Sequence, residues 1–123
     1  MYESANNFME DMQKFLARDD FKDFTIKVGD RDFKVHKFVF VVRSETFAEL
    51  IKENPEAEDL ELQDIPVEIF ECILSFVYTD KLPETQNIHE VFAAAGKLKI
   101  KGLIELTSGI LSTNIKNEKN LRT

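Results

Sequence analysis

The stretch that most constrains this chain runs from Asp23 to Leu50, DFTIKVGDRDFKVHKFVFVVRSETFAEL. Phe24, Ile26 and Val28 alternate with Thr25 and Lys27, and Phe33 and Val35 alternate with Asp32 and Lys34. Gly29-Asp30 lies between the two runs, so the pattern predicts a β-hairpin with one buried face. From Lys37 the period of two stops. Phe38-Val39-Phe40-Val41-Val42 is continuously apolar, which fits a buried strand or a buried helix on periodicity alone. Its β-branched residues lean towards strand. Ser44 is an N-cap type, and Phe47, Leu50 and Ile51 then mark a short helix.

Around this segment the chain reads as a small α+β domain. At 123 residues it is one domain by size, with 43% hydrophobic and 32% charged residues. Such a length buries roughly two-thirds of its unfolded surface, enough for a core. Before the hairpin, Phe8, Met12, Phe15 and Leu16 fall at helical spacing behind Asn7, with Glu10 and Asp11 in the first turn. Residues 1–7 are polar and expected to be disordered. After the hairpin and its helices, Asn54-Pro55 breaks the chain, Glu56 to Asp59 form an acidic loop, and Leu60 and Leu62 mark a short strand. Asp64 and Pro66 open a helix that is apolar nearly all round and should be central. Thr79-Asp80-Lys81 ends it. Asn87 is expected to cap a further helix, with Ile88, Val91, Phe92 and Ala95 inward and Gly96 allowing close packing. A last helix is expected over 102–115, followed by a polar tail, 116–123.

The chemistry of catalysis is absent from the pattern. The two histidines, His36 and His89, and the single cysteine, Cys72, fall in different elements, without metal-ligand spacing. The four glycines are isolated, so there is no phosphate-binding loop, and no nucleophile elbow occurs. Glu56, Glu58 and Asp59 are read as a solvated loop rather than a cation site, Cys72 as inert core and His36 as a structural histidine. No enzyme, metal or cofactor is expected. Sixteen basic against 23 acidic residues give a net charge of −7, which argues against direct nucleic-acid or anionic-membrane binding. No apolar run approaches the ~20 residues of a membrane span, and no signal peptide is visible. A lone cysteine suits a reducing, intracellular compartment. What remains is a binding module.

The residues then resemble a BTB/POZ domain. Asp23-Phe24-Thr25-Ile26-Lys27-Val28, Phe33-Lys34-Val35-His36-Lys37 and Arg43-Ser44-Glu45-Thr46-Phe47 follow that family's strand, His-Lys/Arg, apolar helix and Arg-Ser-x-x-Phe pattern. Phe76-Val77-Tyr78-Thr79-Asp80 resembles its Phe-x-Tyr-Thr-Gly, and Phe92-Ala93-Ala94-Ala95-Gly96-Lys97-Leu98 its alanine-rich helix. The likeness covers residues 8–115, and among subfamilies is nearest to the speckle-type POZ protein group. It implies a small β-sheet flanked by a cluster of α-helices, with Phe38–Val42 as a helix buried on most sides.

The resemblance also implies partners. Family members commonly homodimerise through the N-terminal helix, which gives Phe8, Met12, Phe15 and Leu16 a use; the alternative is that this helix folds onto its own domain. Asp23 and Lys37 match a charged pair near that dimer interface. Many such domains bind a cullin and act as substrate adaptors of cullin-RING ubiquitin ligases. By resemblance, Phe47, Ile51, Glu53, Pro55, Glu56 and Tyr78 would make that contact. The family's hydrophobic-x-Glu signature is met by Ile51-Lys52-Glu53, while Asn54-Pro55-Glu56 lies nearer its usual place without the hydrophobic residue. A dimerising, corepressor-recruiting domain of a transcriptional or chromatin regulator is the competing expectation, and a purely structural self-association module a third. Nuclear and/or cytoplasmic localisation follows, and a substrate-recognition module is expected elsewhere in a longer chain unless the protein is the domain alone.

Overall fold

In a computed structural model the chain forms three strands and six helices; the structure describes residues 1–121, with side chains to residue 113. The hairpin forms as expected, from β1 (Phe24–Val28) and β2 (Arg31–Val35), paired antiparallel with Ile26 opposite Phe33. Gly29 takes φ +57° at the start of the two-residue turn, a conformation that costs glycine least. A third strand, β3 (Asp59–Leu62), pairs parallel to β1 with Leu60 opposite Ile26, giving the order β2-β1-β3. Phe24, Ile26, Val28, Phe33 and Val35 are all buried, so the alternation read from the sequence is the core face of the sheet.

Helices cover that face. The apolar run is α2 (Lys37–Arg43), followed by α3 (Glu45–Glu53). Tertiary packing thus overrides β-propensity. Only Val39 and Phe40 of α2 are buried, however; Phe38 is exposed and Val42 is 76% exposed. The expectation of a helix buried on most sides is therefore corrected: α2 has an inward and an outward apolar face. Between the helices Ser44 is buried. Its Oγ accepts from the Phe47 N–H (3.0 Å), capping α3, and donates to the Leu98 carbonyl (2.6 Å).

The central helix is α4 (Val67–Thr79), which buries Ile69, Phe70, Ile73, Phe76 and Val77. It ends at Asp80 in the left-handed region (φ 62°), which Asp tolerates better than most residues. The Asp80 carboxylate pairs with Arg43 at the end of α2. The α5 helix (Ile88–Leu98) buries Val91, Ala94, Ala95 and Leu98, a stripe of 3–4 spacing. Phe92 lies off that stripe and is exposed, against the inward expectation. Asn87 stands at the N-cap position but its side chain makes no capping bond. A Cβ at Gly96 would meet nothing within 4 Å, so that glycine serves no close approach. The α6 helix (Lys101–Leu121) buries Leu103 and Thr107, and its backbone continues past the expected end at 115. Residues 122 and 123 of the expected polar tail lie outside the described residues. No described helix is long and apolar enough to cross a membrane.

Candidate protein-interaction surfaces

The first surface is built on α1 (Phe8–Leu16). The Asn7 side chain caps it, accepting from the Glu10 N–H (2.9 Å), as the sequence predicts. None of its residues is fully buried. Phe8 is 73% exposed, Met9 is exposed, and Met12, Phe15 and Leu16 are half-buried. Leu16 packs on the core, and the Phe15 ring stands 5.3 Å from the His36 ring, 5.3 Å from Phe21 and 6.3 Å from Phe38. The helix therefore rests on its own domain at its C-terminal end and leaves the N-terminal part of its apolar stripe uncovered. Phe21, 66% exposed in the α1–β1 connection, continues this surface, as do Phe38 and Val42 one turn apart on α2. Phe21 and Val42 were not singled out from the sequence. The available signals were an apolar residue between Asp19-Asp20 and Lys22, and a fifth apolar residue where α2 needs only two inward.

Beneath Phe15 lies His36, fully buried at the start of α2. The Tyr78 hydroxyl oxygen accepts from the His36 backbone N–H (3.0 Å) and lies 2.9 Å from Nδ1. The one hydroxyl thus meets both the backbone and the ring of His36. Nε2 is buried and has no hydrogen-bond partner. The structural role expected of His36 is met at one ring nitrogen only. Burial raises the Tyr78 pKa above its ordinary value of 10.0, offset in part by the His36 backbone bond.

Asp23 and Lys37 are brought together, but not as a charge pair. Asp23 Oδ1 accepts from the Lys37 backbone N–H (2.8 Å), capping α2 from the connection just before β1. The Lys37 ammonium lies 5.6 Å from the Phe24 ring centroid and 3.4 Å from the Pro55 carbonyl. No ion pair joins the two side chains, and Asp23 is exposed, so the expectation of a charged pair is corrected.

The second surface is the end of α3 and the connection to β3. Leu50 is exposed, Ile51 is half-buried against the core, and Glu53, Pro55 and Glu56 are exposed. Ile51-Lys52-Glu53 is the last turn of α3, while Asn54-Pro55-Glu56 lies in the connection that follows. Two of the six residues assigned to the cullin contact are elsewhere. Phe47 is 2% exposed, edge-on to Phe24 at 5.2 Å, so it is core and presents nothing to a partner. Tyr78 lines a different groove of about 620 Å³, between Gln13, Leu16 and Ala17 of the α1 end and Ser75, Thr79 and Leu82. Cys72 is half-buried, and burial with Glu71 alongside raises its thiol pKa, which disfavours the reactive thiolate. Among the described residues no group of three His, Cys, Asp or Glu side chains is placed to hold a metal ion.

Comparison with known proteins agrees with this architecture. The model of the BTB/POZ domain family matches residues 12–115. Kelch-like protein 41b of Danio rerio is 26% identical over 110 residues, covering 85% of this chain and 18% of that protein. BTB/POZ and MATH domain-containing protein 3 of Arabidopsis thaliana is 33% identical over 86 residues, covering 68% of this chain and 20% of that protein. The chain thus spans about a fifth of the length of these two curated relatives. The solved BTB domain of zebrafish PATZ1 superposes with a TM-score of 0.79 at 27% identity, covering 92% of this chain and 99% of that one. These matches do not single out the speckle-type POZ group that the sequence suggests. With the family model spanning most of its length, and the three-stranded sheet and six helices that go with it, the chain belongs to the BTB/POZ family, a protein-interaction fold.

Proposed function

We propose that this chain is a homodimerising interaction module that serves as a substrate adaptor for a cullin-RING ubiquitin ligase in the nucleus or cytoplasm. The observation that carries the reading is the uncovered apolar surface of Phe8, Met9, Phe21, Phe38 and Val42. Large exposed apolar patches mark interaction sites, and a two-fold interface is the commonest way to cover one. Phe15 and Leu16 lie at its edge and hold α1 in place. The cullin contact is assigned to Leu50, Ile51, Glu53, Pro55 and Glu56, a separate face with an apolar centre and an acidic rim. The Kelch-like and MATH-containing relatives support it by the company they keep.

Two measurements test the reading. Light scattering of the wild type at high micromolar concentration should give twice the chain mass, and Phe8→Asp with Val42→Asp should give the monomer. A monomeric wild type overturns the dimer. Titration with the N-terminal part of a cullin should show binding well below tens of micromolar, weakened by Leu50→Asp; no binding at tens of micromolar overturns the adaptor. The groove between the end of α1 and the end of α4 favours a second reading, a dimer that recruits corepressor peptides beside its seam. A peptide that binds in that groove while the cullin does not would favour it.

A further inference from the structure

Phe21 is an anomaly for a residue that merely links a helix to a strand. Its φ is 69°, in the left-handed region that aromatic residues avoid. Its ring is also mostly exposed, so the domain gains little burial in return for the strain. Yet the ring is held in place. It packs on Phe15 at 5.3 Å with the rings tilted by 33°, and the Arg18 guanidinium lies 5.8 Å from its centroid. The residues on either side are tied down by ion pairs, Arg18 with Asp20 and Lys22 with Asp19 (2.9 Å). A fixed, exposed aromatic on a braced loop is the form a binding anchor takes, since its ordering cost is met before the partner arrives.

The charges of α1 indicate what covers it. Glu10 and Asp11 lie in its first turn, Lys14 lies in its last, and Arg18 follows just beyond. A helix with acid at one end and base at the other complements a copy of itself running the opposite way, and the two helix dipoles then also oppose. We propose that Phe21 anchors the self-association seam, seated against Phe8 and Met9 of a second copy, with the two α1 helices antiparallel and crossing at Met12. In that arrangement the C-terminal end of one α1, where Phe15 and Phe21 stack, meets the N-terminal end of the other, where Phe8 and Met9 are uncovered. The inference rests on the dimer proposed above and adds its anchor and register.

The test pairs affinity with stability. By sedimentation velocity, Phe21→Ala should weaken self-association about tenfold or more, as truncating a hot-spot aromatic does. Phe21→Gly should weaken it as much, while the dilute monomer melts at the same temperature or higher, because glycine adopts positive φ without strain. A purely structural Phe21 would instead lower the monomer's melting temperature in both variants. Self-association unchanged by either substitution overturns the anchor while leaving the dimer standing, whereas a monomeric wild type overturns both. For the register, Met12→Cys in a Cys72→Ser background should form a disulfide-linked dimer on mild oxidation, and Phe8→Cys in the same background should not. Equal cross-linking at residue 8, as parallel helices would give, overturns the antiparallel arrangement.

Discussion

At the scale of single residues, the hydroxyl of Tyr78 carries more of this fold than its half-buried position suggests. Among the described residues it is the one acceptor for the buried His36 backbone N–H, and it contacts the imidazole that Phe15 packs against. Tyr78→Phe keeps the ring but strands that N–H, and should cost about 1–2 kcal/mol in urea denaturation, the site being only part-buried. The same contact sets a pH dependence. Burial raises the folded-state pKa of Tyr78 above 10.0, so the folded protein resists an ionisation that the unfolded chain accepts. The stability this contributes is fully present below pH 10 and is lost as pH rises towards the raised value. Urea midpoints from pH 8 to 11 should therefore fall more steeply in the wild type than in Tyr78→Phe. The family pattern made Tyr78 and Phe47 visible in the sequence, but not their direction. Motif residues that keep a fold and motif residues that meet a partner look alike until burial separates them, and here Phe47 is core.

At the scale of elements, what the sequence showed well were those features whose causes are local. Asn7, the Gly29 turn and the Ser44 cap each depend on residues within three or four positions, and each is found. What depends on distant chain was hidden. The inward face of α5 is set by what it packs against, which put Ala94 inside and Phe92 out. The cap of α2 comes from Asp23, fourteen residues before. Asp23→Ala should cost about 1 kcal/mol by loss of that cap. Because the bond is to the Lys37 backbone, Lys37→Ala should add its own smaller loss independently. A double-mutant cycle should then give a coupling within about 0.5 kcal/mol, where an ion pair would give more. Ser44 joins the two kinds of cause: it caps α3 locally and ties it to α5 through the Leu98 carbonyl. Ser44→Ala removes both bonds in a buried site. It should cost about 2–3 kcal/mol by urea denaturation, above the ~1 kcal/mol of an ordinary cap.

For the whole molecule, the sheet and five of its helices form one closed core, while α1 buries none of its residues fully and leaves large apolar side chains in water. A domain stable by a small margin gains from covering such a surface with a second copy. Association then becomes part of its stability, and stability becomes dependent on concentration. Above the dissociation constant the free chain concentration rises only as the square root of the total, so a 100-fold rise in chain concentration contributes about 1.4 kcal/mol per chain by mass action. For a domain of this size, that corresponds to several degrees in Tm. Calorimetry between about 5 and 500 micromolar should therefore show Tm rising with concentration. Phe8→Asp with Val42→Asp should abolish the rise without changing the circular dichroism, since both side chains are more than 70% exposed within one copy. A wild-type Tm independent of concentration would mean that α1 does no more than rest on its own domain, held by Phe15 and Leu16, and that its exposed stripe plays no part in stability.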